Sequence, residues 1–194
     1  MIRFATGSNK MYGLQEVKHK FGETHPTVNS ELLYKIRHGK VHPKVNIERF
    51  EGKMVHFKDG SKEEFDAVIA CTGFVLAHPF FEKNLIDYSD GPVPLYLKMF
   101  HATIQNLYFI GMFQPLGCIW PGAEQQSKLA ALALSGAWQR PKNIHALCER
   151  EVTHPHMKQI NTSRHTITVD FHKFVREIKA EMKNAQPVKT AVPC

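Results

Sequence analysis

Residues 66–70, Asp66-Ala67-Val68-Ile69-Ala70, form a short apolar run that stops abruptly at Cys71-Thr72-Gly73. An uninterrupted apolar run of strand length is the pattern of a strand covered on both faces, as in parallel sheets. A glycine just past its end permits a sharp turn or a close approach of backbone. Upstream, Asp59-Gly60 lies between Val55-His56-Phe57 and Glu64-Phe65. Asp-Gly between apolar runs is a strong hairpin signal, so a hairpin is expected to feed the buried strand. Open parallel sheets bind ligands beyond the carboxyl ends of their strands, which makes Thr72 and Gly73 candidate binding residues.

A second run of the same kind, Leu107-Tyr108-Phe109-Ile110, ends at Gly111. A Gly/Pro-rich loop follows, with Gln114, Pro115, Gly117, Trp120, Pro121 and Gly122. A helix is predicted over residues 123–135, with Glu124 as a first-turn carboxylate and Gly136 as its C-cap. Asn29 or Ser30 is placed to cap a short helix over 31–37 that Gly39 closes. A strand is predicted over 45–50 and another over 95–101. Helical spacing recurs over 143–154 and over 169–183, where Phe171, Phe174, Val175, Ile178 and Met182 form one stripe. The proline-rich stretch 72–95 is the expected boundary between two subregions. Residues 184–194 read as a disordered tail. The fold class is therefore α/β.

The net charge is +7, but the basic residues are dispersed, with no run of five Lys or Arg. That pattern fits a solvated basic surface and does not favour nucleic acid as a partner. The four cysteines, Cys71, Cys118, Cys148 and Cys194, include no CxxC pair. Reduced intracellular thiols are the expectation. His154-Pro155-His156 is the densest histidine cluster. It lacks further ligands at metal spacing, so no metal is expected. Neither a leader nor an apolar run near the ~20 residues of a membrane span occurs, and a cytoplasmic location is expected.

The hairpin, the 66–70 strand with Thr72-Gly73, and the run ending at Gly111 together resemble flavoproteins with two dinucleotide-binding domains. More specific pieces are Thr24-His25-Pro26-Thr27-Val28, Glu31-Leu32-Leu33, His38-Gly39, Ile110-Gly111 through Gln114-Pro115-Leu116-Gly117 to Pro121, and Glu124-Gln125-Gln126. In that order and spacing they are similar to the flavin-containing monooxygenases over roughly residues 7 to 138. Lys128 stands where that family usually carries Arg, and Cys71 where it more often carries Ala.

The resemblance implies a partial Rossmann-like, FAD/NAD(P)-binding fold. Neither G-x-G-x-x-G fingerprint occurs among the twelve glycines, so the N-terminal fingerprint units are the parts not represented. On this reading residues 1–72 end the NADPH-binding domain with the hairpin and crossover strand, and 73–183 are the C-terminal part of the FAD-binding domain. The implied cofactors are FAD and NADPH. The implied reaction is oxygenation of nitrogen or sulfur in a small-molecule amine or sulfide through C4a-hydroperoxyflavin. That chemistry belongs to the cofactor, and no acid–base pair or nucleophilic triad is found, so catalytic residues are unassigned. The resemblance places Thr72 and Gly73 on the passage between the two cofactor sites. It places Gly111, Gln114 and Gln126 near the polar rim of the flavin ring. A surface Gln on a loop and another on a helix face is the plain alternative. An N-terminal companion chain or self-association is expected to cover the exposed sheet edges. Two other readings stand beside this one: a non-catalytic remnant or binding module with a basic surface, and a Baeyer–Villiger-type oxygenase.

Overall fold

The computed structural model describes residues 7–18, 20, 23–24, 29, 31–73, 76–82, 85–86, 93–157 and 165–186. Residues 25–28 of the family-like segment and 187–194 of the expected tail lie outside the described residues. The chain divides into two compact units, Met1–Gly22 with Pro26–Phe74, and Glu23–His25 with Val75–Cys194. Helices and strands are mixed throughout, which is compatible with the α/β class.

Unit one opens with a 3-10 turn, Asn9–Tyr12, started by Ser8, whose side chain accepts from the Lys10 N–H. The short helix α1, Leu32–Arg37, follows. Asn29 Oδ1 accepts from the N–H groups of Glu31 (2.9 Å) and Leu32 (2.8 Å), which is the expected cap. Arg37 donates to the buried Tyr12 hydroxyl and lies over its ring. Strands β1 (Ile47–Glu51), β2 (Met54–Phe57) and β3 (Lys62–Glu64) form an antiparallel sheet in the order β1-β2-β3. The β2–β3 turn is the Asp59-Gly60 hairpin: Asp59 Oδ1 accepts from both the Ser61 N–H and the Ser61 hydroxyl. Val55 and Phe57 are buried, while every residue of β1 is exposed. Alternation with one covered face is what an antiparallel sheet requires.

The expected buried strand over 66–70 is not present. Pairing ends where the Phe65 N–H donates to the Lys53 carbonyl at 3.0 Å. Beyond it the chain has no ladder partner among the described residues, and Val68 and Ile69 are 55% and 85% exposed. A doubly covered strand needs neighbours on both edges and layers on both faces. The described part of unit one supplies only a three-stranded antiparallel sheet. Thr72 and Gly73 consequently sit at the end of an exposed extended segment rather than at a sheet's carboxyl edge.

Unit two holds the larger core. A tight hairpin pairs β4 (Leu95–Tyr96) with β5 (Phe100–His101). The run ending at Gly111 also differs from expectation: it adds a single bridge, Tyr108 to Phe100, and the Phe109 N–H donates to the Met99 carbonyl. The parallel pairing among the described residues is that of β6 (Gln114–Pro115) with β7 (Thr168–Val169). Helices α2 (Trp120–Leu134), α3 (Ile144–Thr153) and α4 (Phe171–Lys183) complete the unit. Asp170 caps α4 by accepting from the Lys173 N–H at 2.8 Å, and the predicted stripe buries Phe174 and Ile178.

Phe113, Leu129, Trp138, Phe174 and Ile178 belong to one core cluster, with the Phe113 and Phe174 rings 4.6 Å apart. Trp138 stacks on Phe100 at 4.9 Å and donates its indole N–H to Glu181. The second Glu181 oxygen accepts from the Tyr96 hydroxyl at 2.8 Å. Helix α2 begins at Trp120, earlier than the sequence predicts. Glu124 is therefore past the first turn, and it pairs with Lys128 one turn on at 2.6 Å. No described helix is long and apolar enough to cross a membrane.

Candidate functional site

Unit two contains a buried polar clamp around a strained turn. Of the three residues between β4 and β5, Leu97 and Lys98 have φ of 52° and 53°. The Met99 N–H donates to the Tyr96 carbonyl across them at 3.1 Å. Positive φ at both central positions normally selects Asn-Gly, and each bulky residue there costs about 1–3 kcal/mol. Two helices hold the turn through the Leu97 N–H, the Leu97 carbonyl and the Lys98 ammonium. The Glu151 carboxylate of α3 accepts from the Leu97 N–H (3.1 Å) with one oxygen and from Lys98 Nζ (2.8 Å) with the other. The Lys98 and Glu151 side chains are 4% and 9% exposed, so the pair is buried and hydrogen-bonded on both sides.

Gln126 of α2 completes the clamp. It is fully buried, its Nε2 donates to the Leu97 carbonyl at 3.0 Å, and its Oε1 accepts from the Gly111 N–H at 2.8 Å. One side chain thus ties the strained turn, the helix and the end of the second apolar run. The geometry brings Gly111 and Gln126 together. Both ends of the Gln126 amide are engaged inside the unit, so it acts on the loop from within. Gly111 has φ of 79°, a conformation that glycine adopts without a steric penalty. Gln114 lies three residues on. Its N–H is spent on the Ile167 carbonyl at 2.8 Å, while its half-buried carboxamide has no hydrogen bond among the described residues. Thr72 and Gly73 belong to unit one and stand apart from this group in the chain.

The loop from Gly111 to the start of α2 is fixed on its inner side and open on its outer side. Phe113 is fully buried, and its ring presses on the backbone at Gly122: a Cβ there would lie 2.4 Å from Cζ. A glycine is needed at that place in the helix, although elsewhere it would cost helix stability. Leu116, Trp120 and Pro121 face outward, with Trp120 76% exposed. Pro121 sits in the first turn, where its missing N–H costs no helical hydrogen bond. No side chain caps α2, whose N-cap residue is Ile119. The end of a fifteen-residue helix therefore carries its partial positive charge with no side-chain cap and no acidic residue in its first turn among the described residues.

Sequence reasoning missed Leu97, Lys98, Glu151 and the role of Gly122. The first two carry no turn residue type, and Glu151 reads as a solvent-facing helix position. Gly122 reads from the sequence as a loop residue, because the predicted helix starts one residue after it.

A polar, partly anionic ring edge fits this donor set: open glycine-bearing backbone, the free Gln114 carboxamide, an exposed aromatic and an uncapped helix end. A pyrophosphate does not find its cradle here, since neither glycine fingerprint is in the sequence.

A model of the flavin-binding monooxygenase-like proteins matches residues 5–191. Flavin-containing monooxygenase 5 of Oryctolagus cuniculus is 34% identical over 91% of this chain and 34% of its own length. The Homo sapiens protein of that name is 31% identical over 92% of this chain and 34% of its own. A 4-hydroxybenzoate brominase (decarboxylating) of Pseudoalteromonas luteoviolacea is 38% identical over 66% of this chain and 25% of its own. The chain spans about a third of the length of the first two of these relatives. With a match running through both units and past the clamp residues, the chain belongs to the flavin-binding monooxygenase-like family.

Proposed function

We propose that this chain is part of a FAD- and NADPH-dependent monooxygenase that oxygenates nitrogen or sulfur of small molecules. The observation that carries the reading is the Gly111–Gln126–Leu97 clamp behind an outward-facing loop and an uncapped helix end, inside the region matched by the family. Bound there, FAD supplies redox and oxygen-transfer chemistry that no side chain of the loop can perform. The α2 N-terminus would stabilise negative charge on the ring edge, and the Gln114 carboxamide would hydrogen-bond its rim. Gln126 positions Gly111, Trp120 walls the site from water, and Thr72 and Gly73 of unit one contribute to cofactor binding.

The proposed architecture is a partial two-dinucleotide-binding fold, with the domain boundary near residue 72. Val68 and Ile69, exposed on an unpaired segment, favour a partner that completes the sheet. That partner is an N-terminal companion chain carrying both G-x-G-x-x-G units, or a second copy.

The test is NADPH oxidation by the chain mixed with such a companion and FAD. It is run with an amine, a sulfide and a ketone, and with 4-hydroxybenzoate plus bromide because one relative bears that name. N-oxide or sulfoxide formation supports the reading. Ester formation from the ketone would shift it to a Baeyer–Villiger oxygenase. Absence of flavin binding and turnover in every mixture would leave the binding-module alternative.

A further inference from the structure

A cleft of about 120 Å³ lies within unit two, between α3, α4 and the strained turn. It is several times larger than the ~10–15 Å³ that one water requires. Tyr96 and Leu97 form its floor, and Arg150, His154, His156, Lys173 and Glu177 are its charged and titratable walls, together with Glu151. The two carboxylates are already committed. Glu151 is paired with Lys98 at 2.8 Å, and Glu177 Oε2 lies 2.9 Å from His156 Nε2. Arg150 and Lys173 have no ion-pair partner within salt-bridge distance among the described residues. The Thr153 hydroxyl donates to the Glu149 carbonyl at 3.0 Å, so His154 donates its Nδ1 proton to that hydroxyl at 2.9 Å. The His156 side chain is only 6% exposed, and its Nδ1 has no hydrogen-bond partner. A buried imidazole nitrogen in that condition is an uncompensated polar group.

We propose that this cleft binds a small tetrahedral dianion of the phosphate class, with Arg150 and Lys173 as its charge partners. The excess of positive groups over committed carboxylates is what selects an anion. Two separate cations converging on one volume favour a dianion over a monocarboxylate. Burial alone would raise the Glu177 carboxyl. The His156 hydrogen bond and the charges of His156, Lys173 and Arg150 outweigh it, and the carboxyl is held below its usual value. The cations do face it.

The experiment is a calorimetric titration of the full chain with sulfate, which keeps two charges throughout the histidine range, and in parallel with inorganic phosphate and acetate. Saturable binding is expected for sulfate and phosphate, and clearly weaker binding for acetate. Arg150→Gln and Lys173→Gln should each lower sulfate affinity roughly ten-fold, about the effect of losing one charge-assisted hydrogen bond. Lys58→Gln, an exposed change in the unit-one hairpin, should leave it unchanged. Trp138 fluorescence reports an intact core in each variant. Equal losses from Lys58→Gln and Arg150→Gln would show a diffuse basic field and overturn the proposal. So would acetate binding as tightly as sulfate, or the absence of saturable sulfate binding.

Discussion

Replacing Gln126 with leucine should destabilise unit two severely while leaving its packing volume nearly unchanged. Leucine fills most of the same space, so the cavity contribution is small. What it removes are two hydrogen bonds in a fully buried position, from the Gly111 N–H at 2.8 Å and to the Leu97 carbonyl at 3.0 Å. Each backbone group left unsatisfied in the interior costs about 1–3 kcal/mol, so the expected loss is about 2–6 kcal/mol. That is a large part of the ~5–15 kcal/mol by which a domain is stable. Urea unfolding followed by tryptophan fluorescence reads it directly, because both tryptophans, Trp120 and Trp138, belong to unit two. The midpoint should fall with the slope unchanged. Gln126→Glu offers an internal check. At neutral pH it places an unpaired carboxylate beside the Leu97 carbonyl and should be worse than leucine. On acidification the protonated acid again offers a donor and an acceptor, and its deficit should shrink. A Gln126→Leu loss below about 0.5 kcal/mol, the range of an ordinary surface change, would refute the clamp.

Glu151→Ala should cost about 3–5 kcal/mol by stranding the buried Lys98 ammonium, and the double change Lys98→Met with Glu151→Leu should recover much of it in the same assay. Gly122→Ala should lower stability by about 1–3 kcal/mol, since the new methyl must displace the Phe113 ring; Phe113→Leu in the same chain should relieve it. Burial, and then the hydrogen bond to Glu181, push the Tyr96 phenol far above its usual 10.0. Stability from this group is full below that pH and is lost as the pH climbs above it, so Tyr96→Phe should flatten the alkaline limb of a stability–pH curve. Glu177 has the opposite sign. Its carboxyl is held below the ordinary 4.5, so its contribution is present above that pH and lost as the pH falls past it, and Glu177→Gln should flatten the acid limb.

Local signals in the sequence were legible where chemistry is local. The Asp59-Gly60 hairpin, the Asn29 cap and the buried stripe of α4 all rest on residues close together or on helical periodicity. The strand over 66–70 did not form because apolar composition states only that a segment wants covering. Whether it becomes a strand depends on neighbours that the described residues of unit one do not provide. The Leu97–Lys98 turn was illegible for the converse reason. Its conformation is imposed by Glu151 and Gln126, from two helices distant in sequence, against the preferences of its own residues. Gln126 itself read as a ring-edge contact or a surface amide, and its burial is a tertiary fact.

The most direct test of the flavin reading is amide hydrogen exchange across Gly111 to Ala123, in the chain combined with a companion bearing both fingerprint units, with and without FAD. The account predicts that FAD slows exchange in the outward-facing loop and the first turn of α2. Flavin retained by the complex while those amides exchange at unchanged rates would contradict it.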